Sequence, residues 1–148
     1  MPFMDEISSE EFRIASRVLA NLEISGEIER YGAMRAKQDR SPEEERKFIE
    51  IDSARRTFTH LFGKMWRLHK TGVVDDQIVR AVVGPDMVWT LLFVSEPLEQ
   101  AVRKNYNSGL FEYFAALYPF EEIEVQWPRN ANNSLPDRIL RMSKEREA

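Results

Sequence analysis

The segment from Ser41 to Gly72 constrains the fold more than any other part of the chain, because it carries a helix start, a sustained apolar stripe and a helix stop in one run. Ser41 is a good N-cap, Pro42 suits the first helical position, and Glu44, three residues after Ser41, closes a capping box. Gly72 supplies the left-handed residue that ends such a helix. At about 1.5 Å per residue, about thirty residues make a rod of roughly 45 Å, so the other segments are expected to settle on one long spine. A step of about 100° per residue puts Phe48, Ile51, Ala54, Phe58, Leu61, Phe62, Met65 and Leu68 on one broad apolar face, flanked by Trp66.

Upstream, Ser8 and Glu11 form a second capping box ahead of Phe12, Ala15, Val18, Leu19 and Leu22, which share one face. The stripe shifts at Ser25-Gly26 and resumes with Ile28, Tyr31 and Met34, which predicts a bend or break, since glycine costs about 1 kcal/mol in a helix interior. The short polar segment from Lys37 to Ser41 joins antiparallel neighbours. The expected fold is therefore all-α: a long antiparallel helical hairpin with several shorter helices packed on it. Among those, Asp75 caps a helix carrying Ile78, Val79, Val82 and Val83, Gly84 stops it, and Pro85 starts another that Ser95-Glu96-Pro97 is expected to break. Further helices are read from Leu98 to Tyr106 and from Leu110 to Tyr118.

From Phe120 to Trp127 the apolar residues Ile123, Val125 and Trp127 alternate with Glu122, Glu124 and Gln126, which predicts an extended or β segment near 120–127. A lone strand needs a neighbour, so this stretch is expected either as an arm on the helices or as an edge offered to another copy. Residues 1–128 read as a single helical domain. Residues 129–148 read as a partly mobile C-terminal tail of linker composition, with a short amphipathic helix at Ile139-Leu140-Arg141-Met142.

Composition narrows the chemistry. The 148 residues contain no cysteine, which excludes a disulfide framework, a thiolate metal site and a cysteine nucleophile. The net charge of -4 exerts no strong pull on nucleic acid, and the apolar segment Asp86 to Val94 has no base to meet a phosphate. Glycines 26, 32, 63, 72, 84 and 109 are scattered, so no phosphate-cradling loop and no cofactor is expected. His60 and His69, nine positions apart, fall on opposite sides of one helix and cannot share an ion. His69 is expected as a hydrogen-bonded core histidine and His60 on the polar face; neither a metal site nor a catalytic residue is identified. The opening Met-Pro-Phe-Met-Asp-Glu is acidic where a signal peptide is basic, and the longest apolar run, Met87 to Val94, is far shorter than the ~20 residues of a membrane span. A cytoplasmic location without a membrane span is the expectation.

Two surfaces are candidates for function. Arg56, His60, Lys64, Arg67 and Lys70 line up opposite the apolar stripe with a gap at Gly63, where an anion or nucleotide could sit; the plainer alternative is a solvated face complementing the helix dipole. The sixteen aromatic side chains, nine Phe, four Tyr and three Trp, exceed what a plain hairpin hides, which points to aromatic surface used in contacts. Phe120, Ile123, Val125 and Trp127 are the expected contact surface, with the tail beside them. The leading expectation is a non-enzymatic helical interaction protein that binds a protein partner or itself, as a homodimer or other homo-oligomer. An anion-binding regulatory protein using the basic stripe is the alternative.

Residues from about Asp52 to Tyr118 also resemble a family of small helical proteins of unknown function. The likeness rests on the helix ending at Gly72, on Val73-Val74-Asp75, on Gly84, on Pro97-Leu98 with Arg103 downstream, and on Phe111-Glu112-Tyr113-Phe114. Many members of that family carry an N-terminal membrane helix, whereas the corresponding region here is polar and amphipathic. The resemblance implies a helical fold and supplies no catalytic residue.

Overall fold

A computed structural model describes residues 9–25, 28–103, 109–124 and 135–147, and these are entirely helical or connecting structure. The first helix, α1, spans Glu10–Ser25, and α2 spans Ile28–Ala36, so the chain does break beside Gly26. The cap of α1 is Ser9, whose Oγ accepts from the Phe12 amide at 3.2 Å. This moves the expected start at Ser8 by one residue, because the hydroxyl that reaches the third helical amide is the one that caps.

The long helix, α3, spans Pro42–Lys70 and begins and ends as its sequence dictates. The Glu44 amide donates to Ser41 Oγ at 3.2 Å while the Ser41 amide donates to Glu44 Oε1 at 3.1 Å. At the other end the Gly72 amide donates to the His69 carbonyl at 3.0 Å and the Val73 amide to the Leu68 carbonyl at 2.9 Å. This paired closure requires a left-handed residue, and Gly72 provides it at φ 80°.

α1 runs antiparallel along α3: the ring of Phe12 stacks on Phe58 at 5.2 Å, while Val18 and Leu22 lie beside Lys47 and Ile51. α2 does not extend this line. It turns back over the first half of α3, where Tyr31 stacks on Phe48 at 5.5 Å, and Gly32 lies against Ala101 on the far side.

The shorter helices are α4 (Asp76–Val82), α5 (Pro85–Thr90), α6 (Glu96–Val102), α7 (Gly109–Ala115), α8 (Phe120–Glu124) and α9 (Asp137–Glu147). α4 and the helical run from Pro85 to Val102 meet at 88° across Gly84, where the chain stops and restarts as expected. The expected break at Ser95-Glu96-Pro97 is absent. Leu91–Ser95 forms a π-turn joining α5 to α6, with helical torsions kept through Ser95 and Glu96 and the Glu96 amide bonded to the Leu91 carbonyl five residues back. Proline in a regular helix clashes with the carbonyl four residues earlier, and a widened turn just before it relieves that clash.

That continuous run is the innermost element. Leu91, Leu92, Phe93 and Val94 are each 0% exposed, the signature of a helix buried on all sides. α1, α3, α7 and α9 all contact the π-turn, so the long hairpin is one wall of the core and the helix it leans on is the axis.

The extended segment expected near 120–127 is a helix over its described part. Residues Phe120 to Glu124 form α8, with the Glu122 amide bonded to the Pro119 carbonyl at 3.0 Å, and 125–127 lie outside the described residues. Phe120 and Ile123, three residues apart, fall on opposite faces of a strand but on one face of a helix, and α8 packs against α5. No single helix among the described residues is long and apolar enough to cross a membrane.

Candidate functional site

Two regions of the described structure depart from a plain folded core: a charged network sealed inside it, and an apolar seam left open on its outside.

The network grows from the polar side of α3. Asp52 and Arg55, three residues apart, occupy neighbouring positions there, and α2 and α6 cover them. Tyr31 donates its hydroxyl to Asp52 Oδ1 at 2.6 Å. Arg55 donates from Nη2 to Asp52 Oδ1 at 3.0 Å, from Nε to the Tyr31 hydroxyl at 3.2 Å and from Nη1 to Glu99 Oε1 at 2.7 Å. Thr59, one turn after Arg55, donates to the same Glu99 oxygen at 3.0 Å. Arg55 is 6% exposed and Glu99 1%, so this is an interior ion cluster spanning α2, α3 and α6. Burial alone raises the Asp52 carboxyl, yet the hydrogen bonds from Tyr31 and Arg55 hold it below the ordinary range. Tyr31 moves up, through burial first and then its bond to Asp52. For Arg55, burial works against the charge and the Glu99 and Asp52 bonds outweigh it.

A second clamp fixes the C-terminal helix. Arg138 at the start of α9 grips Glu96 through Nε to Oε1 at 2.6 Å and Nη2 to Oε2 at 2.7 Å, and reaches Glu112 Oε1 at 2.7 Å with Nη1. Beside it Ile139 is fully inside.

The sequence-derived anion stripe is dispersed among other contacts. Arg56 pairs with Asp52 Oδ2 at 3.0 Å and extends the buried network outward. Lys70 lies over the Trp66 ring at 4.2 Å from its centroid. The gap at Gly63 is overhung by Arg67, whose Nη1 stands 3.4 Å from where a Cβ would be. His60 is exposed and Lys64 half-buried on the same helix. His69, expected in the core, is instead half-buried at the helix end: Nε2 lies 2.8 Å from Asp76 Oδ1, which also accepts the Tyr113 hydroxyl at 2.9 Å. The last turn of α3 is closed by the start of α4, so its final side chains meet that loop rather than the interior. Burial and the Asp76 bond raise the Tyr113 hydroxyl.

Of the expected contact surface, Ile123 is buried and Phe120 half-buried against the core, while Val125 and Trp127 lie outside the described residues. Every described Phe, Tyr and Trp is buried or half-buried. A core axis besides the hairpin hides what the hairpin alone does not.

Among the described residues the exposed large hydrophobic side chains are aliphatic, and two of them share one place. Ile14 on α1 is 48% exposed and Ile49 on α3 is 57% exposed, and both line an open cleft of about 390 Å³ over Ala15, Val18 and Ala54. That cleft shares Val18 and Glu50 with one of about 370 Å³ toward the start of α3. It shares Glu11 and Thr57 with one of about 620 Å³ toward the start of α1, where Arg56 and His60 stand. The three form one groove along the outer side of the α1–α3 seam.

Among the described residues no group of three or more His, Cys, Asp or Glu side chains is placed to hold a metal ion. No family model matches the chain, and no curated protein or solved structure matches it. Sequence reasoning missed Asp52, Arg55 and Glu99 because all three are ordinary polar-face residues in their own helices. No signal along the segment marked Glu99, which sits between Glu96 and Gln100 in a helix of mixed composition.

Proposed function

We propose that the chain is a non-enzymatic helical interaction protein whose contact surface is the outer groove between α1 and α3. The observation that carries this reading is the pairing of Ile14 and Ile49 on one open seam, in a molecule that tucks every described aromatic ring against its core. Single exposed aliphatics need no explanation, but two flanking a continuous groove give a partner helix an apolar strip to lie on. The buried ion cluster supports this role from beneath, because it fixes α2 and α6 on α3 and so keeps the hairpin wall rigid.

The test separates a docking role from a structural one. In Ile14→Gln/Ile49→Gln, measured by denaturant unfolding at dilute protein, stability is expected to stay within about 0.5 kcal/mol of the parent, as for surface positions that hold nothing together. A loss well above about 1 kcal/mol, the centre of ordinary destabilising effects, makes the two isoleucines part of the core packing and overturns the reading.

One observation favours a second reading. Arg56, Thr57, His60 and Ser9 line the 620 Å³ cleft together, which brings two of the five expected cations beside two hydroxyls. A rise in melting temperature with inorganic phosphate, lost in Arg56→Ala, is the outcome that reading requires; an unmoved melting temperature removes it.

A further inference from the structure

We infer that the occupant of the α1–α3 groove is the same groove of a second copy of this chain, the two related by a two-fold axis. This rests on the docking role proposed above and adds the identity of the partner.

Charge selects the occupant. The chain carries a net charge of -4, so two copies meeting at random surfaces repel. The groove is different: its lining contains three carboxylates, Glu11, Glu43 and Glu50, and three strong cations, Arg46, Lys47 and Arg56. The acidic excess therefore lies elsewhere on the molecule, and this face is where a like-charged copy approaches at least cost. Both signs occur at each end of the groove, with Glu11 and Arg56, the latter also paired with Asp52, at one end and Glu43, Arg46 and Lys47 at the other. A two-fold contact sets a surface against itself, so a face with carboxylates and cations at both ends offers each charge an opposite one. A strongly basic or strongly acidic partner finds no such match.

Shape agrees with charge. Ile14 and Ile49 stand in the middle cleft over Ala15, Val18 and Ala54, on opposite sides of the seam, with Glu11 and Glu50 where it meets its neighbours and further charges toward both ends. An apolar centre with a polar rim is the usual anatomy of a protein contact. The inner faces of α1 and α3 are taken up by the chain's own core, and a second hairpin laid on the outer seam sets its two helices against these two.

The absence of cysteine makes the test clean, since any introduced thiol is the only one in the chain. Ile14→Cys, Ile49→Cys and a remote control, Val73→Cys, exposed just beyond the end of α3, are prepared as full chains and oxidised mildly. Circular dichroism verifies that each is folded. Sedimentation velocity of the unaltered chain is expected to show a concentration-dependent dimer, and Ile14→Lys/Ile49→Lys to remain monomeric at the same concentrations. The cross-linked fraction of Ile14→Cys and of Ile49→Cys is expected to exceed that of the Val73→Cys control several-fold. A parent chain that stays monomeric overturns the second copy as partner and leaves the docking role to its own stability test. A dimer whose cross-linking at both seam positions equals the control pairs through another face, and overturns the inference as well.

Discussion

Arg55 and Glu99 lie 44 residues apart in the chain and meet at 2.7 Å inside the protein, one on the long helix and one on the helix that follows the π-turn. Each is nearly inaccessible to water, and the same guanidinium also holds Asp52 and the Tyr31 hydroxyl. A single side chain therefore couples three helices.

Removing that side chain exposes the cost of the arrangement. Arg55→Ala leaves the buried Glu99 carboxylate without a counter-charge and Asp52 with the exposed Arg56 alone, and breaking such a pair from one side costs about 3–5 kcal/mol. Urea unfolding is expected to register a loss of that size. Arg55→Met combined with Glu99→Leu is expected to recover most of it, because apolar groups of similar volume avoid the desolvation that the ion pair carries. A double variant as unstable as Arg55→Ala disproves this accounting.

The N-terminus of α3 gives a pH signature. Glu44 is held at about 2 by the hydrogen bond from Lys37 and then by that from the Ser41 amide. A carboxyl lowered on folding contributes stability above its unfolded value, near 4.5, and loses that contribution as pH falls toward 2. The stability difference between the parent and Glu44→Gln is expected to be full at neutral pH and to shrink progressively below about pH 4.5. A difference constant from neutral to strongly acid pH rejects the assignment.

Two glycines make opposite demands. Gly72 has open space around it and a φ of 80°, so Gly72→Ala is expected to cost about 1–2 kcal/mol from backbone strain alone. Gly109 has no such torsion, but a Cβ there falls 2.6 Å from Trp66 Cζ2, and the ring it must push is itself covered by Lys70. Gly109→Ala is expected to cost about 1–3 kcal/mol as an overpacking effect and to shift the tryptophan emission, which Gly72→Ala leaves in place. Equal emission in the two variants contradicts the distinction.

The clamp on α9 is ionic at its heart. Arg138→Ala strands Glu96, which is 5% exposed, and is expected to release the C-terminal helix. Limited proteolysis reads this directly: cleavage before Asp137 should accelerate at least several-fold in the variant while the fragment ending near Glu124 stays resistant. Unchanged cleavage means Ile139 and Met142 hold the helix without the arginine.

Features set by short-range chemistry are legible along the chain. Ser41, Pro42 and Glu44 start the long helix, and Gly72 ends it through bonds that span at most five residues. Asp75 caps the next helix through the Ile78 amide, and the break beside Gly26 follows from local propensity. Packing between distant segments sets which helix lies innermost, that Pro97 continues rather than breaks its helix behind a π-turn, and that Phe120 to Glu124 coils instead of extending. It alone brought Tyr31, Asp52, Arg55 and Glu99 together, because a polar residue on its own helix carries no mark of which distant charge will cover it. Burial is a property of neighbours that meet only after the chain has folded, and periodicity along one segment holds no record of them.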